Sequence, residues 1–172
     1  MTVARVGALL AVLANVLFAA CGGGSHLPEP PPCTTPTPIP SQVPPDTRQS
    51  DVRYARAVRD AIDELGDLTD DFRGEWPDRR YSSQPEFRTD FVNYYGESTC
   101  LVQALGRLSP PATGTLTDEA GELQLLLQQY ESVLDQGLEA VQKRNVSDYR
   151  QFHRDLDSAY DQLVVKFGRL QP

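Results

Sequence analysis

A repeat of apolar residues between positions 116 and 141 restricts the fold of this chain more than any other feature. An apolar side chain recurs there every three or four residues, which is the period of one face of an α-helix. The stripe consists of Leu116, Ala120, Leu123, Leu127, Tyr130, Leu134, Leu138 and Val141. A helix in water is stabilised mainly by packing its apolar face against other elements. The segment therefore predicts one helix of a multi-helix core.

The segment from about Asp46 to Glu75 carries a second stripe and predicts another helix. Its stripe residues are Ala55, Val58, Ile62, Leu65, Thr69, Phe72 and Trp76. A third helix is predicted to begin near Ser83, because Ser83-Gln84-Pro85-Glu86 has the spacing of a capping box, and to stop at Ser109-Pro110-Pro111. Its stripe is Phe87, Phe91, Tyr94, Ser98, Leu101, Leu105 and Leu108.

The last predicted helix follows the basic residues Lys143 and Arg144, which suit the C-terminus of the helix before it. Asn145 or Ser147 is its expected N-cap. Its stripe is Tyr149, Phe152, Leu156, Tyr160, Leu163, Phe167 and Leu170. No segment alternates with the period of two that is typical of strands. Four long helices with short loops favour an all-α antiparallel up-down-up-down four-helix bundle over residues 47–172.

Residues 21–46 have a different composition and predict a disordered linker. Gly22-Gly23-Gly24-Ser25 is followed by a stretch from Pro28 to Pro45 in which prolines recur among threonines. Such a stretch favours extended polyproline II conformation and buries too little apolar area to fold alone. The linker is expected to act as a spacer between the N-terminus and the helical domain.

The N-terminus combines one basic residue, Arg5, with an apolar run from Val6 to Ala20 that ends at Ala19-Ala20-Cys21. The run is shorter than the roughly 20 residues of a transmembrane helix. It resembles the signal peptide of bacterial lipoproteins, although Phe18 stands where that family usually has Leu, Val or Ile. The resemblance implies that residues 1–20 are removed and that Cys21 is acylated, for example with palmitate. An ordinary signal peptide cut near Ala20 is the alternative.

The resemblance also implies a location. The mature protein is expected outside the cytoplasm, anchored by lipid to the bacterial cell membrane, or to the outer membrane if the cell has two. Acylation of Cys21 leaves Cys33 and Cys100, which are free to oxidise in that compartment. Cys100 lies about 140° from the centre of its helix's stripe, where a passing linker can reach it. We therefore predict a Cys33–Cys100 disulfide; two free thiols or an intermolecular bridge are the alternatives.

The chain's charge argues against nucleic acid as a partner. The formal net charge is −8, and loss of residues 1–20 removes Arg5 but no acid, which makes it −9. Nucleic-acid phosphates attract basic rather than acidic surfaces.

Catalytic, cofactor and metal motifs are absent from the sequence. His26 falls in the linker, and His153 is expected on a helix surface or at the edge of the core. A cluster of acidic residues on the first predicted helix is expected to form a solvated face with salt bridges, and weak binding of a divalent cation is the alternative. Its members are Asp60, Asp63, Glu64, Asp67, Asp70 and Asp71.

Four aromatic residues are expected to pack in the core, or to form a partner surface if they are exposed. They are Trp76, Tyr81, Tyr94 and Tyr95. The sequence thus favours a non-enzymatic, lipid-anchored envelope protein whose bundle binds an envelope protein or a wall component. A carrier that holds a small molecule in an apolar cavity between the helices is the alternative. An enzyme using His153 or the acidic cluster is the least favoured hypothesis.

Overall fold

Four α-helices make up most of the part of the chain that the computed structural model describes, residues 27–33, 47–77, 83–108 and 116–168. They are α1 (Thr47–Glu75), α2 (Pro85–Gly106), α3 (Thr117–Lys143) and α4 (Val146–Phe167). No strand occurs in these ranges, so the predicted all-α class is confirmed. The predicted signal peptide with Cys21, the rest of the linker, Tyr81 and Leu170 lie outside the described residues.

The start of α2 differs from the prediction. The helix begins at Pro85, and its N-cap is Gln84, whose side chain makes no capping hydrogen bond, so the capping box at Ser83 is wrong. Proline disfavours the helical conformation in the residue before it. Gln84 is accordingly extended, with φ −66° and ψ 138°, and the helix cannot begin earlier. At its other end α2 stops at Gly106, before the prolines that were expected to end it.

A tight turn joins α3 to α4. Arg144 adopts a left-handed conformation with φ 54°, and the N–H of Asn145 donates to the carbonyl of Ala140. The side-chain oxygen of Asn145 then accepts hydrogen bonds from the N–H groups of Ser147 and Asp148, at 3.0 and 3.3 Å. Asn145 is therefore the N-cap, one of the two residues predicted for that role. This turn lets α3 and α4 pack side by side along most of their length.

The helices form a ring around one core. The backbones of α1 and α3 each approach α2 and α4, the pattern expected of a helical bundle. The stripes predicted from the sequence supply most of the buried side chains, including Ile62, Leu105, Leu134 and Leu163. The core belongs to all four helices, and no single helix could bury its apolar face alone.

Aromatic rings cluster where α1 ends and α2 and α4 begin. The aromatic residues of α2 and α4 meet each other there. The ring centroids of Phe91 and Phe152 lie 5.6 Å apart, and those of Phe87 and Tyr149 lie 5.4 Å apart, in both cases edge to face. Edge-to-face contacts of this kind bring the positive edge of one ring to the negative face of another.

Thr69 is the polar member of the α1 stripe, and its hydroxyl is buried with partners. Thr69 Oγ1 donates to the carbonyl of Leu65 at 2.8 Å. The Tyr94 hydroxyl lies 3.2 Å from Thr69 Oγ1, and because the Thr69 proton is already engaged, Tyr94 is the donor of this bond. Burial raises the pKa of Tyr94, which therefore stays a neutral donor.

Candidate functional site

Cys33 and Cys100 lie at disulfide distance, with their Cα atoms 5.4 Å apart, as the sequence predicts. Cys100 is half-buried on the outer side of α2, and Cys33 is exposed above it. The pair holds residues 27–33 against α2, and we call these residues the strap. The strap is thus the part of the predicted linker that the structure describes next to the bundle.

The strap covers a face of α2 that points away from the core. Gly96 lies about 180° around the helix from Phe87, yet it is buried. A Cβ atom on Gly96 would lie 3.0 Å from atoms of both Pro30 and Pro31, so the prolines pack directly on the helix backbone. Leu27, only 8% exposed, joins the buried apolar cluster. The sequence predicted that the linker would be tied to α2, but not that a leucine before the prolines would dock.

The contacts also give the strap a direction. Pro30 and Pro31 pack at Gly96, and Cys33 pairs with Cys100 four residues later on α2. The strap therefore runs in the same direction as α2. Going backwards along the strap from Pro30 leads towards the start of α2, which is the end of the molecule where Trp76 packs against Phe87.

A groove of about 730 Å³ runs between α3 and α4 on the outer surface. Its walls include Glu122, Leu125 and Leu126 from α3 and Asp161, Val165 and Lys166 from α4. Leu125 is 67% exposed and Val165 is 80% exposed, although both are fully apolar. Lys166 forms an ion pair with Glu122 across one side of the groove. The ammonium group of Lys166 therefore neutralises the carboxylate of Glu122 rather than that of Asp161. A smaller cavity of about 270 Å³ lies beside it on the same face.

Sequence reasoning missed this groove because its apolar residues lie off the core stripes. Leu125 is about 200° around α3 from Leu123, so the helical pattern gives it no partner. Val165 occupies a similar position after the core residue Leu163. Two runs of consecutive apolar residues could have indicated the site, Leu125-Leu126-Leu127 in α3 and Val164-Val165 in α4. Consecutive residues point in different directions around a helix, so each run places an apolar side chain on the solvent side.

The acids of α1 predicted as a cluster are exposed along one helix surface. They are Asp60, Asp63, Glu64, Asp67, Asp70 and Asp71. Within the described ranges, no group of three or more His, Cys, Asp or Glu side chains is placed to hold a metal ion. Arg73, further along α1, forms an ion pair with Asp157 of α4 and so joins those two helices.

His153 is buried, so of its two expected places, a helix surface or the edge of the core, the helix surface is wrong. It is 4% exposed, and its ring lies 4.7 Å from that of Tyr149 and 5.1 Å from that of Phe152. The sequence places it next to the stripe residue Phe152 and one turn after Tyr149, and contacts with both rings cover it. His153 is therefore part of the aromatic packing at the start of α4.

The other aromatic candidates mostly pack into the bundle. Trp76 is half-buried, and its indole N–H donates to Asp90 Oδ2 at 3.1 Å. Tyr95 is half-buried and donates to Asp135 Oδ1 at 2.9 Å, which joins α2 to α3. Burial raises the pKa of Tyr130 and of Tyr149 far above the usual value, so both phenols are neutral at physiological pH.

None of the helices in the described ranges is long and apolar enough to cross a membrane. Comparison of the chain with protein-family models, with curated proteins and with solved structures found no significant match.

Proposed function

We propose that this protein is a lipid-anchored, non-enzymatic component of the bacterial cell envelope, which binds another envelope protein through the groove between α3 and α4. The observation that carries the proposal is the exposed apolar pair Leu125 and Val165 in the walls of that groove. Large exposed apolar side chains gathered in one concave site are typical of interaction surfaces rather than of ordinary protein surface.

The anchor is supported by the sequence around Cys21. Its position after Ala19 and Ala20 matches the acylation site of the lipoproteins that the N-terminus resembles. One acyl chain gives only reversible binding to a bilayer, whereas two or three hold a protein durably. Such an anchor makes a membrane-binding surface on the bundle unnecessary, which agrees with the mature net charge of −9, obtained by removing Arg5 from a chain of charge −8.

We also infer that the four helices alternate in direction, as an up-down-up-down bundle. Three contacts support this arrangement, because each joins the end of one helix to the start of a neighbouring helix. They are Phe72 with Phe87, Gly106 with Gln124, and Lys166 with Glu122. In this arrangement the groove lies at the end of the bundle formed by the end of α2, the start of α3 and the end of α4.

The chemistry of the groove favours a helical segment with apolar and basic side chains as its occupant. Leu125 and Val165 offer apolar contacts, and Asp161 offers a carboxylate beside them. A basic side chain on the partner would pair with that carboxylate, and the acidic charge of the whole chain would attract such a partner. A helix in a groove between two helices is a common mode of peptide recognition.

The alternative of a small-molecule carrier has less support. It requires an apolar cavity between the helices, whereas the groove and the smaller cavity beside it open on the outer face of α3 and α4. Tyr130 and Leu134, at the middle of the bundle, are fully buried among other core side chains.

The anchor is tested by Cys21→Ser in the full-length gene, with the intact mass of membrane-extracted protein as the readout. We expect the wild type to lack residues 1–20 and to carry the mass of two or three acyl chains, because the sulfur is the site of the lipid. The variant is expected to carry no acyl mass. A Cys33→Ser/Cys100→Ser double variant is the control and should be acylated like the wild type. Equal masses and equal membrane retention for Cys21→Ser and wild type would contradict the anchor.

The groove is tested by placing a photo-crosslinking amino acid at position 165 in living cells, with position 146 as the control. Val146 is also an exposed valine of α4, but it lies at the opposite end of the helix. We expect one discrete protein adduct from position 165 and none from position 146. The purified partner should then lose affinity roughly tenfold for Val165→Asp, or about 1.4 kcal/mol, and bind Val146→Asp normally.

Two results would contradict a protein partner at the groove. One is the same set of adducts from both positions, which would indicate non-specific contact. The other is retention of the wild type by purified cell-wall polymer, with that retention lost in Val165→Asp, which would favour the wall component instead.

A further inference from the structure

The bundle has two different ends. At the first end, which we call the Trp76 end, α1 finishes, α2 and α4 begin, and Trp76 packs on Phe87. At the second end, which we call the groove end, α2 finishes at Gly106 and Lys166 of α4 pairs with Glu122 of α3. The docking groove of the proposed function therefore belongs to the second end.

The N-terminal part of the chain meets the bundle near the Trp76 end. The strap runs with α2 and is fixed at Gly96 by Pro30 and Pro31. In extended proline-rich conformation, at about 3.1 Å per residue, Leu27 lies about 10 Å before Pro30. A helix rises only about 1.5 Å per residue, so this distance carries the strap back from Gly96 to about the level of Asp90, the residue that accepts a hydrogen bond from Trp76. Leu27 is buried and is the first residue of the strap, so the chain from the N-terminus has reached the bundle by this position.

The first residue of α1 lies at the opposite end. Arg73, near the end of α1, pairs with Asp157, whereas a Cβ on Gly66 would collide with the Tyr160 hydroxyl. Going backwards along α1 therefore leads forwards along α4, towards Lys166 and the groove. The 29 residues of α1 span about 43 Å, so Thr47 and Trp76 are separated by nearly the length of the molecule.

From this geometry we propose that the strap decides which end of the bundle faces the membrane, and that the Cys33–Cys100 bond is the switch. The proposal rests on the anchor at Cys21 described above. With the bond intact, the tether reaches the bundle at Leu27, six positions after Cys21, so the Trp76 end faces the membrane within about 20 Å. The groove end then points away from the membrane, where a partner can reach it.

Breaking the bond moves the point of attachment. If the strap leaves α2, the tether extends from Cys21 to Thr47, which is 26 positions and at most about 90 Å. Because Thr47 lies at the groove end, the groove then turns towards the membrane and the Trp76 end turns away. The same event therefore changes both the reach and the orientation of the bundle.

The bond is accessible to a reductant, and it is needed to hold the strap. Cys33 is exposed, so a dithiol protein or small dithiol can attack it. The thiolate of the dithiol forms a mixed disulfide with one cysteine sulfur and releases the other as a thiolate, which takes up a proton. The second thiol of the reductant then closes its own disulfide and releases the second cysteine. The free energy gained by burying one leucine offsets the conformational entropy lost on ordering only about one or two residues. The strap is therefore expected to leave α2 once the disulfide is broken.

The test uses the mature chain, residues 21–172, coupled through the free Cys21 thiol to a maleimide lipid in phosphatidylcholine vesicles that contain a dansyl lipid. This coupling supplies the anchor chemically, so the result does not depend on natural acylation. Trp76 is the only tryptophan of the chain and serves as the energy donor. We expect efficient transfer to the dansyl lipid with the bond intact. After addition of a dithiol, transfer should fall by roughly fivefold or more, because α1 separates the two ends by about 43 Å.

The control is Cys33→Ser/Cys100→Ser, which keeps Cys21 for coupling. It should show low transfer both with and without the dithiol. Equal transfer in the wild type before and after reduction, or high transfer in the double variant, would overturn the proposal. Circular dichroism of the same samples should show unchanged helix content. Loss of helix on reduction would also overturn it, because the bond would then be required for the fold rather than for the orientation.

Discussion

Phe91→Ala is expected to destabilise the bundle by about 3–5 kcal/mol, the usual cost of removing a fully buried aromatic ring. Phe91 has no exposed surface, and its ring lies within 6.3 Å of five other aromatic rings contributed by α1, α2 and α4. The neighbouring rings are held by their own helices and cannot collapse fully into the space. Since small domains are stable by only about 5–15 kcal/mol, the loss removes a large share of the total.

The measurement is urea unfolding of the oxidised protein, followed by far-ultraviolet circular dichroism. Leu125→Ala is the matched control, because it also truncates a large apolar side chain, but one that is 67% exposed. Its free energy of unfolding should change by no more than about 0.5 kcal/mol. Similar losses for the two variants would mean that the aromatic cluster is not the centre of the core.

Gly137→Ala is expected to destabilise the bundle although alanine is the better helix former. A Cβ at Gly137 would lie 2.5 Å from Phe152 Cδ2 and 2.6 Å from Cε2. Phe152 is 1% exposed and packs against Phe91 and Tyr149, so its ring has no free space into which to move. Overpacking of this kind costs about 1–3 kcal/mol, which exceeds the gain of up to about 1 kcal/mol from helix propensity.

Gly121→Ala is the control for Gly137→Ala, and it should change stability in the opposite direction. Gly121 is an exposed glycine of the same helix, and a Cβ there would meet no atom within 4 Å. Only helix propensity changes, so the free energy of unfolding should rise by about 0.5–1 kcal/mol. The readout is the same urea titration. A gain in stability for both variants would show that Phe152 moves aside easily and that α3 and α4 are not held in close contact.

The helices could be predicted because each repeats a local pattern. The spacing from Leu116 to Val141 gave α3 almost residue by residue, and Asn145 was one of the two caps proposed for α4. The start of α2 was predicted less well, because proline at position 85 prevents Gln84 from taking the helical conformation. The local sequence thus explains where the helices occur. The predicted helix ends are less accurate, because capping preferences and the conformational restriction imposed by proline favour different end residues.

The site was predictable only in part. The Cys33–Cys100 pairing followed from a count of cysteines and from the angle of Cys100 on its helix. Burial of His153 and of Gly96 did not follow, since each lies outside the main stripe of its helix. Gly96 is covered by Pro30 and Pro31, which are distant in sequence, whereas His153 packs beside Tyr149, one turn earlier on α4, within the aromatic cluster.

The sequence by itself determined the four helices, their apolar faces and the two cysteines able to pair, because those properties depend on residue type and on spacing along one segment. Only the tertiary structure decided that α3 and α4 leave a groove with Leu125 and Val165 in its walls, and that the strap lies along α2 in the direction of that helix. Grooves and strap contacts depend on how helices are placed relative to one another. That placement results from packing between residues far apart in the chain, which no periodicity within a single segment records.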